Sequence, residues 1–397
     1  MYKKRLFTPG PTPLMPEAQL AMSRPIVHHR TAQFKELLLE TRQNLQKIFS
    51  TENDVVILAS SGTGAMEAAV SNLLSSDDPA LAIVTGKFGQ RWEKICQSYR
   101  IPCTALEKDN GEAASAEEIC EALEHHPEIQ AILIQACETS TATSHDLERI
   151  AQLVGEKFPK VFIVVDAITA LLTQPVETDQ WGLDIVISGS QKAFALSPGL
   201  SFLTLSSRAI EKMEANSWRP YYFNLPEEVQ KQRKGQTVFT PAISLIVGLN
   251  ETTREILRQS LDRVLADAEL MARCTRIGLL ELDFRLLSSS PANAVTAAFP
   301  PQGVSAAELV KKLEDEFGIK VAGGQGELKD QIIRIAHLGY FDLLDVFSVL
   351  SAIELCLFRM GREVNLGCSV RAATLEATTS KEPTSGKVQR TRAHMQE

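Results

Sequence analysis

Residues 161–166 read VFIVVD, and residues 185–192 read IVISGSQK. Each is a short run of apolar, mostly β-branched residues that stops at a polar cluster. Neither run alternates polar with apolar, so each reads as a strand buried on both faces, which implies a mainly parallel sheet covered by helices. In such a sheet ligands bind beyond the carboxyl ends of the strands, so Asp166 and the Ser188–Lys192 segment stand where chemistry is expected.

Outward from these two stretches, strand and helix signals alternate. Strands are expected at Val55–Ala59, Leu81–Thr85, Ala131–Gln135 and Phe202–Leu205. Helical spacing appears at Phe34–Phe49, Ala65–Leu74, Gln90–Tyr99 and Asp146–Lys157. Two long helical segments, 244–258 and 260–278, lead out of this sheet. Strand signals at 284–287, 294–299, 319–322 and 332–335 follow, with helices Ala306–Phe317 and 342–358, which together read as a second, smaller α/β unit. Prolines at 9, 11, 13 and 16 fix the first residues as an extended arm. The expected organisation is therefore an arm over 1–16, a large domain over 17–259, a small C-terminal domain over 260–365 and a disordered tail over 366–397. The tail lacks apolar periodicity and cannot offset its ordering entropy.

With a net charge of -8, the chain lacks the basic surface that nucleic acid or anionic lipid would attract, so neither is an expected partner. Its seven cysteines include no C-x-x-C pair, which leaves a zinc ribbon, a redox dithiol or an iron–sulfur cluster without an obvious ligand set. No metal site is expected. Unclustered cysteines in odd number fit a reducing, cytoplasmic setting. The start of the chain has no apolar segment of the signal-peptide kind, and no apolar run approaches the roughly 20 residues of a membrane span.

Three polar clusters fall at strand ends. Ser61-Gly62-Thr63-Gly64 sits between a strand and a helix, where glycine lets the backbone approach an anion and the helix start offers free N–H groups. It also reads as an ordinary helix cap, and Glu67 breaks a dinucleotide fingerprint. Asp166 is a carboxylate at the end of a buried strand; it is costly unless it meets a cation or donors, and it also reads as a cap. Lys192 would sit in a cleft, where low dielectric makes an amine nucleophilic toward a carbonyl; the bland alternative is a surface lysine. An anion cradle, a buried carboxylate and an amine are what pyridoxal phosphate requires for its phosphate, its ring nitrogen and its aldehyde.

With these residues the sequence resembles the class V aminotransferases of pyridoxal-phosphate fold type I, and is similar to the alanine–glyoxylate, serine–pyruvate and ureidoglycine–glyoxylate enzymes. The motifs that carry the resemblance are TPGPTP, SSGTGAMEAA, GKFGQRW, VVDAITAL, SGSQKAFALSPG, QTVFTPAISL and IIRIAHLGY, spread from about Phe7 to Gly361. The resemblance implies that Lys192 holds the cofactor as a Schiff base and that Asp166 pairs with its ring nitrogen. It implies a phosphate cradle from Ser61, Gly62, Thr63 and Gln191, with Thr139 near the phenolic oxygen, Ile168 beneath the ring and Phe88 stacked above it. Thr240 would contact the phosphate from the partner subunit of a homodimer with composite sites. Arg334 would grip the substrate α-carboxylate, with Gly10 also a substrate contact. Many relatives carry Trp in place of Phe88 and some carry Tyr in place of Thr237, which leaves any contact by Thr237 open.

The expected activity is transamination of alanine or serine with glyoxylate or pyruvate. No second cation stands out in these motifs to pair with a distal carboxylate, which favours small substrates. The rivals are a ureidoglycine–glyoxylate aminotransferase or a lyase or desulfurase of the same fold, for which Cys356 and Cys368 are poorly placed. A rival of another class is an electron-transfer subunit, since some similar sequences carry a hydrogenase name; the missing cysteine clusters disfavour it. His337 is expected to be a satisfied structural histidine.

Overall fold

The structure, a computed structural model, describes residues 3–379. Seven strands form the central sheet: β1 (Asp54–Leu58), β2 (Ala80–Val84), β3 (Cys103–Glu107), β4 (Ala131–Gln135), β5 (Phe162–Asp166), β6 (Ile185–Gly189) and β7 (Ser201–Leu205). Their spatial order is β1-β7-β6-β5-β4-β2-β3. All pairs are parallel except those made by β7, which runs against both neighbours. Residues 190–200 turn straight back from β6 into β7, and only an antiparallel pair can be joined without a crossover. Lys192 lies in that turn. Asp166 ends β5, in register with Gln135 on one side and Ile187 on the other.

The reason for the sheet is visible in its side chains. Ile132, Ile134, Val165 and Val186 enter one apolar cluster, while Leu133, Val164, Ile185 and Ile187 enter another on the opposite face. With successive side chains on opposite faces, a run apolar throughout builds both cores at once. Helix α1 (Ala32–Ile48) packs on one of these layers through Phe34, Leu38 and Leu45. Helix α2 (Gly62–Leu73) begins three residues beyond β1, and α3 (Gly89–Ser98) follows β2, so both helix starts open at the same edge of the sheet as Asp166 and Lys192. The sequence reading passed over β3, a half-exposed edge strand. It also passed over the helices Ala116–His125, Ser207–Ala215 and Leu225–Gln232.

Helices α4 (Ile243–Gln259) and α5 (Leu261–Leu280) meet at Ser260, whose φ of 73° breaks the helical path. Beyond them a second sheet joins β8 (Arg285–Leu286), β9 (Val295–Phe299), β10 (Ala322–Gly323) and β11 (Ile333–Ala336), antiparallel throughout, in the order β8-β9-β11-β10. Helices α6 (Ala306–Phe317) and α7 (Leu343–Arg359) cover it through Leu309, Leu313, Val349 and Ile353. Residues Ile319–Lys320, expected to belong to this sheet, pair instead with Arg5–Leu6 of the arm. The arm ends where Pro16 starts a short helix, Pro16–Met22, proline at the first helical position having no N–H to lose.

The expected disorder of 366–397 is corrected at its start: Cys368–Thr379 forms a helix, α8. The carboxylate of Glu354 accepts from Gly367 N at 2.5 Å, Ser369 N at 2.8 Å and Ser369 Oγ at 2.5 Å, which satisfies its first turn. Small residues, Ser369 and Ala373, let it lie close on α5, where Cys274 Sγ donates to the Ala373 carbonyl at 3.3 Å. Such a contact needs no wide apolar stripe, so periodicity did not reveal it. Residues 380–397 lie outside the described residues. No helix among the described residues is long and apolar enough to cross a membrane.

Candidate active site

The two decisive side chains converge because their strands are neighbours. Asp166 at the end of β5 and Lys192 just past β6 line one cavity of about 300 Å³, with Ser61, Gly62, Thr63, Phe88, Thr139, Ile168 and Gln191. Gly10 and Pro11 of the arm line it too. Sheet topology brings the strand-end segments together, and the arm, some 180 residues before Lys192, is held to it by hydrogen bonds from Thr12 and to Pro9.

Lys192 is buried and donates from Nζ to the Pro9 carbonyl. Thr12 Oγ1 donates to the Lys192 carbonyl at 2.8 Å, so the arm clasps both ends of the residue. Burial pushes the Lys192 amine down to about 8; Cys137 and Asp166 oppose this, while the positive charges of Arg334 and Arg91 add to it. Asp166 is buried and accepts from Ile168 N at 2.9 Å through Oδ1. Its Oδ2 has no protein partner among the described residues, and burial pushes the carboxyl up to about 6.

The start of α2 is left uncapped. Ser61 makes no side-chain cap, and the N–H groups of Gly62 and Thr63 have no partner among the described residues. A Cβ on Gly62 would stand 2.3 Å from Ile168 Cδ1, so only glycine lets the helix start sit this close to the residue lining the cavity floor. At Gly10, φ is +116° and a Cβ would meet Lys192 Cε and Nζ at 2.7 Å. An uncapped helix start, an unpartnered carboxylate oxygen and a depressed amine in one cavity fit the phosphate, ring nitrogen and aldehyde of pyridoxal phosphate.

Arg334, on β11, does not line the cavity but reaches its wall. Its Nε donates to the Gly323 carbonyl at 3.0 Å and its Nη1 to the Thr139 carbonyl at 2.9 Å. Nη2 has no partner among the described residues, so a carboxylate would be met by the outer edge of the fork. Thr240 is exposed and stands apart from the cavity within this chain, beside Thr237 and Phe239. Thr237 Oγ1 is turned to the Phe239 carbonyl at 2.6 Å. His337 is satisfied on both sides, Nε2 by Thr296 Oγ1 at 2.8 Å and Nδ1 by the Asn293 carbonyl at 2.7 Å.

Two residues were missed. Glu138 is fully buried, and its carboxylate accepts from Phe88 N and Gly89 N at 3.0 Å and from Ser140 N and Oγ at 3.0 and 2.5 Å. It fixes the loop that carries Phe88; a lone acid in the apolar run before Thr139 was the available signal. Arg91 also lines the cavity, donating from Nη1 to Thr63 Oγ1 at 2.8 Å with its guanidinium 4.6 Å above the Phe88 ring. Arg91 is thus a second cation at the site, held at the cradle end by Thr63 and Phe88. Of the other arginines that a loop could bring to a distal carboxylate, Arg24 lines a groove elsewhere, Arg30 holds the Thr237 carbonyl, and Arg219 holds that of Glu214.

The family model for aminotransferase class V matches residues 17–331. The soluble hydrogenase 42 kDa subunit of Anabaena cylindrica is 34% identical over 376 residues, covering 94% of this chain and 98% of that protein. The L-aspartate–glyoxylate aminotransferase of Paracoccus denitrificans is 29% identical, over 93% of this chain and 94% of its own length. Among solved structures, the alanine–glyoxylate aminotransferase of Nostoc sp. matches with a TM-score of 0.86 at 29% identity, over 90% of this chain and 96% of that one.

Proposed function

The chain belongs to the class V aminotransferases, with the type I fold of pyridoxal-phosphate enzymes, and on that premise we propose that it moves the amino group of alanine or serine to glyoxylate or pyruvate. The observation that carries the proposal is the meeting of Lys192, Asp166 and the uncapped start of α2 in one cavity. Bound there, pyridoxal phosphate would supply an electron sink for the pair left at the substrate Cα when its proton departs.

The chain's own residues do the rest. Lys192, depressed to about 8, gives up its proton near neutral pH far more readily than an exposed lysine, so its amine would hold the cofactor aldehyde and would then serve as the base at the substrate Cα. Asp166 Oδ2 would hold the ring nitrogen of the cofactor protonated, and its own ionised form would be favoured by that pairing. The Gly62 and Thr63 amides and the Gln191 side chain take the phosphate. Ile168 and Phe88, which both line the cavity, would confine the ring. Arg334 receives the α-carboxylate of donor and acceptor alike, held in one orientation by two main-chain carbonyls. Thr240 completes the phosphate contacts from a second copy of the chain in a homodimer.

Small substrates are favoured because Arg91, the added cation, is already engaged by Thr63 and Phe88 at the cradle end of the cavity. The hydrogenase name of one relative does not change the reading: among the described residues no group of three or more His, Cys, Asp or Glu side chains is placed to hold a metal. Cys356 is buried in α7 and no cysteine is among the residues that line the cavity, which disfavours a desulfurase. The test is kcat/KM for glyoxylate against 2-oxoglutarate with alanine as donor. Glyoxylate should win clearly; a preference for 2-oxoglutarate refutes the small-substrate assignment and leaves transamination standing.

A further inference from the structure

We propose that Arg91 is the charged ligand of the cofactor phosphate. The inference rests on the pyridoxal-phosphate reading above and concerns a residue that sequence motifs did not single out. Every group expected in the cradle is neutral: the amides of Gly62 and Thr63, the Ser61 and Thr63 hydroxyls, and the Gln191 side chain. A phosphate near neutral pH carries close to two negative charges, and a helix start supplies only about half of a positive one. A dianion in a partly enclosed cavity with neutral partners keeps a large desolvation cost.

Among the cavity-lining residues the cations are Lys192 and Arg91. Lys192 is turned to the Pro9 carbonyl of the arm and is needed by the aldehyde. Arg91 sits in the first turn of α3, and its Nη1 reaches Thr63 Oγ1 at 2.8 Å. This contact does two things. It brings a guanidinium to the start of α2, and it occupies an acceptor site on the Thr63 oxygen, leaving the hydroxyl hydrogen to donate to an anion. The ring of Phe88 under the guanidinium fixes the plane from which the remaining N–H groups point.

The competing role is a brace: Arg91 would merely hold Phe88 and Thr63 in place. Cofactor binding separates the two. Apoprotein is titrated with pyridoxal phosphate and with pyridoxal, which lacks the phosphate, and binding is followed by absorbance. R91Q should weaken pyridoxal phosphate by about ten- to a hundredfold while changing pyridoxal less than about threefold. Inorganic phosphate should compete with the cofactor on the wild-type apoprotein and lose that ability in R91Q. R91K, which keeps the charge, should retain much of the difference between the two ligands, and melting curves of both variants report on folding. Equal weakening of both ligands, or no weakening of either, overturns the proposal. Should the wild-type protein take up neither ligand, the cofactor reading itself fails, and that outcome is distinct.

Discussion

Replacing Lys192 with Met should stabilise the cofactor-free protein at neutral pH while abolishing transamination. The magnitude follows from the amine. Its value falls from 10.5 when exposed to about 8 in the folded chain. At about 1.4 kcal/mol per unit, the folded state pays roughly 3 kcal/mol for protonated Lys192 at pH 7. The sign is the reverse of a lysine that gains a partner. The unfolded chain binds more protons between pH 8 and 10.5, so the penalty is complete below 8 and vanishes as pH rises through 10.5. Methionine fills a similar volume with no charge and should recover it. With an unfolding entropy of about 2.1 cal/mol/K per residue over 397 residues, the gain corresponds to a rise of about 4 °C in the melting temperature. The assay is the thermal melt of apoprotein, wild type against K192M, at pH 7 and in steps to pH 11. The gain should shrink to about 2 kcal/mol at pH 9 and to under about 1 kcal/mol at pH 10. A variant no more stable at pH 7, or a gain that does not change with pH, would refute the claim that burial depresses this amine.

Four further outcomes are expected. D166N should keep the fold, since an amide oxygen can still accept from Ile168 N, yet cut turnover by about a hundred- to a thousandfold; near-normal turnover would remove Asp166 from its role. Because burial raises that carboxyl from 3.8 to about 6, D166N apoprotein should also melt higher above pH 6, where the wild type buries a charge, and show no gain below pH 4. R334A should raise KM for amino acid and keto acid together, because one side chain serves both half-reactions; an effect on only one of them would count against it. Sedimentation should show a dimer, with T240A weakening cofactor retention, and a fully active monomer would reject the composite site.

Much of the site was legible because its chemistry sits where local sequence changes character. VFIVVD announces a doubly buried strand and the carboxylate that ends it, and the same holds for IVISGSQK. Arg91 and Glu138 were not legible, since their importance lies in partners 28 and 50 residues away: Thr63 for one, Phe88 for the other. No pattern along the chain encodes that meeting; the adjacency of β2 and β4 brings Glu138 to Phe88, and the packing of α2 against α3 brings Thr63 to Arg91. Edge strand β3 was missed because CTALE is half-exposed and lacks the apolar run that marked its neighbours. Helix α8 was missed for the opposite reason, its contact depending on smallness and on the buried carboxylate of Glu354 rather than on hydrophobic spacing.

The arm carries a consequence for how the molecule is made. Arg5–Leu6 pairs with Ile319–Lys320, Ala336 N donates to the Phe7 carbonyl, and Pro9 meets Lys192. Residues 5–9 therefore have their resting place on segments made much later along the chain. A growing chain can assemble β1 to β7 and bring the arm to Lys192 at Thr12 well before residue 319 exists, but the partners of Arg5–Phe7 arrive only with residues 319–336. Closure of the pocket is thus a late event with very long sequence separation, the kind of contact that forms slowly. Between the making of Lys192 and that of Ala336 the arm above the lysine lacks its strand partners, and a free aldehyde has its readiest access in that interval.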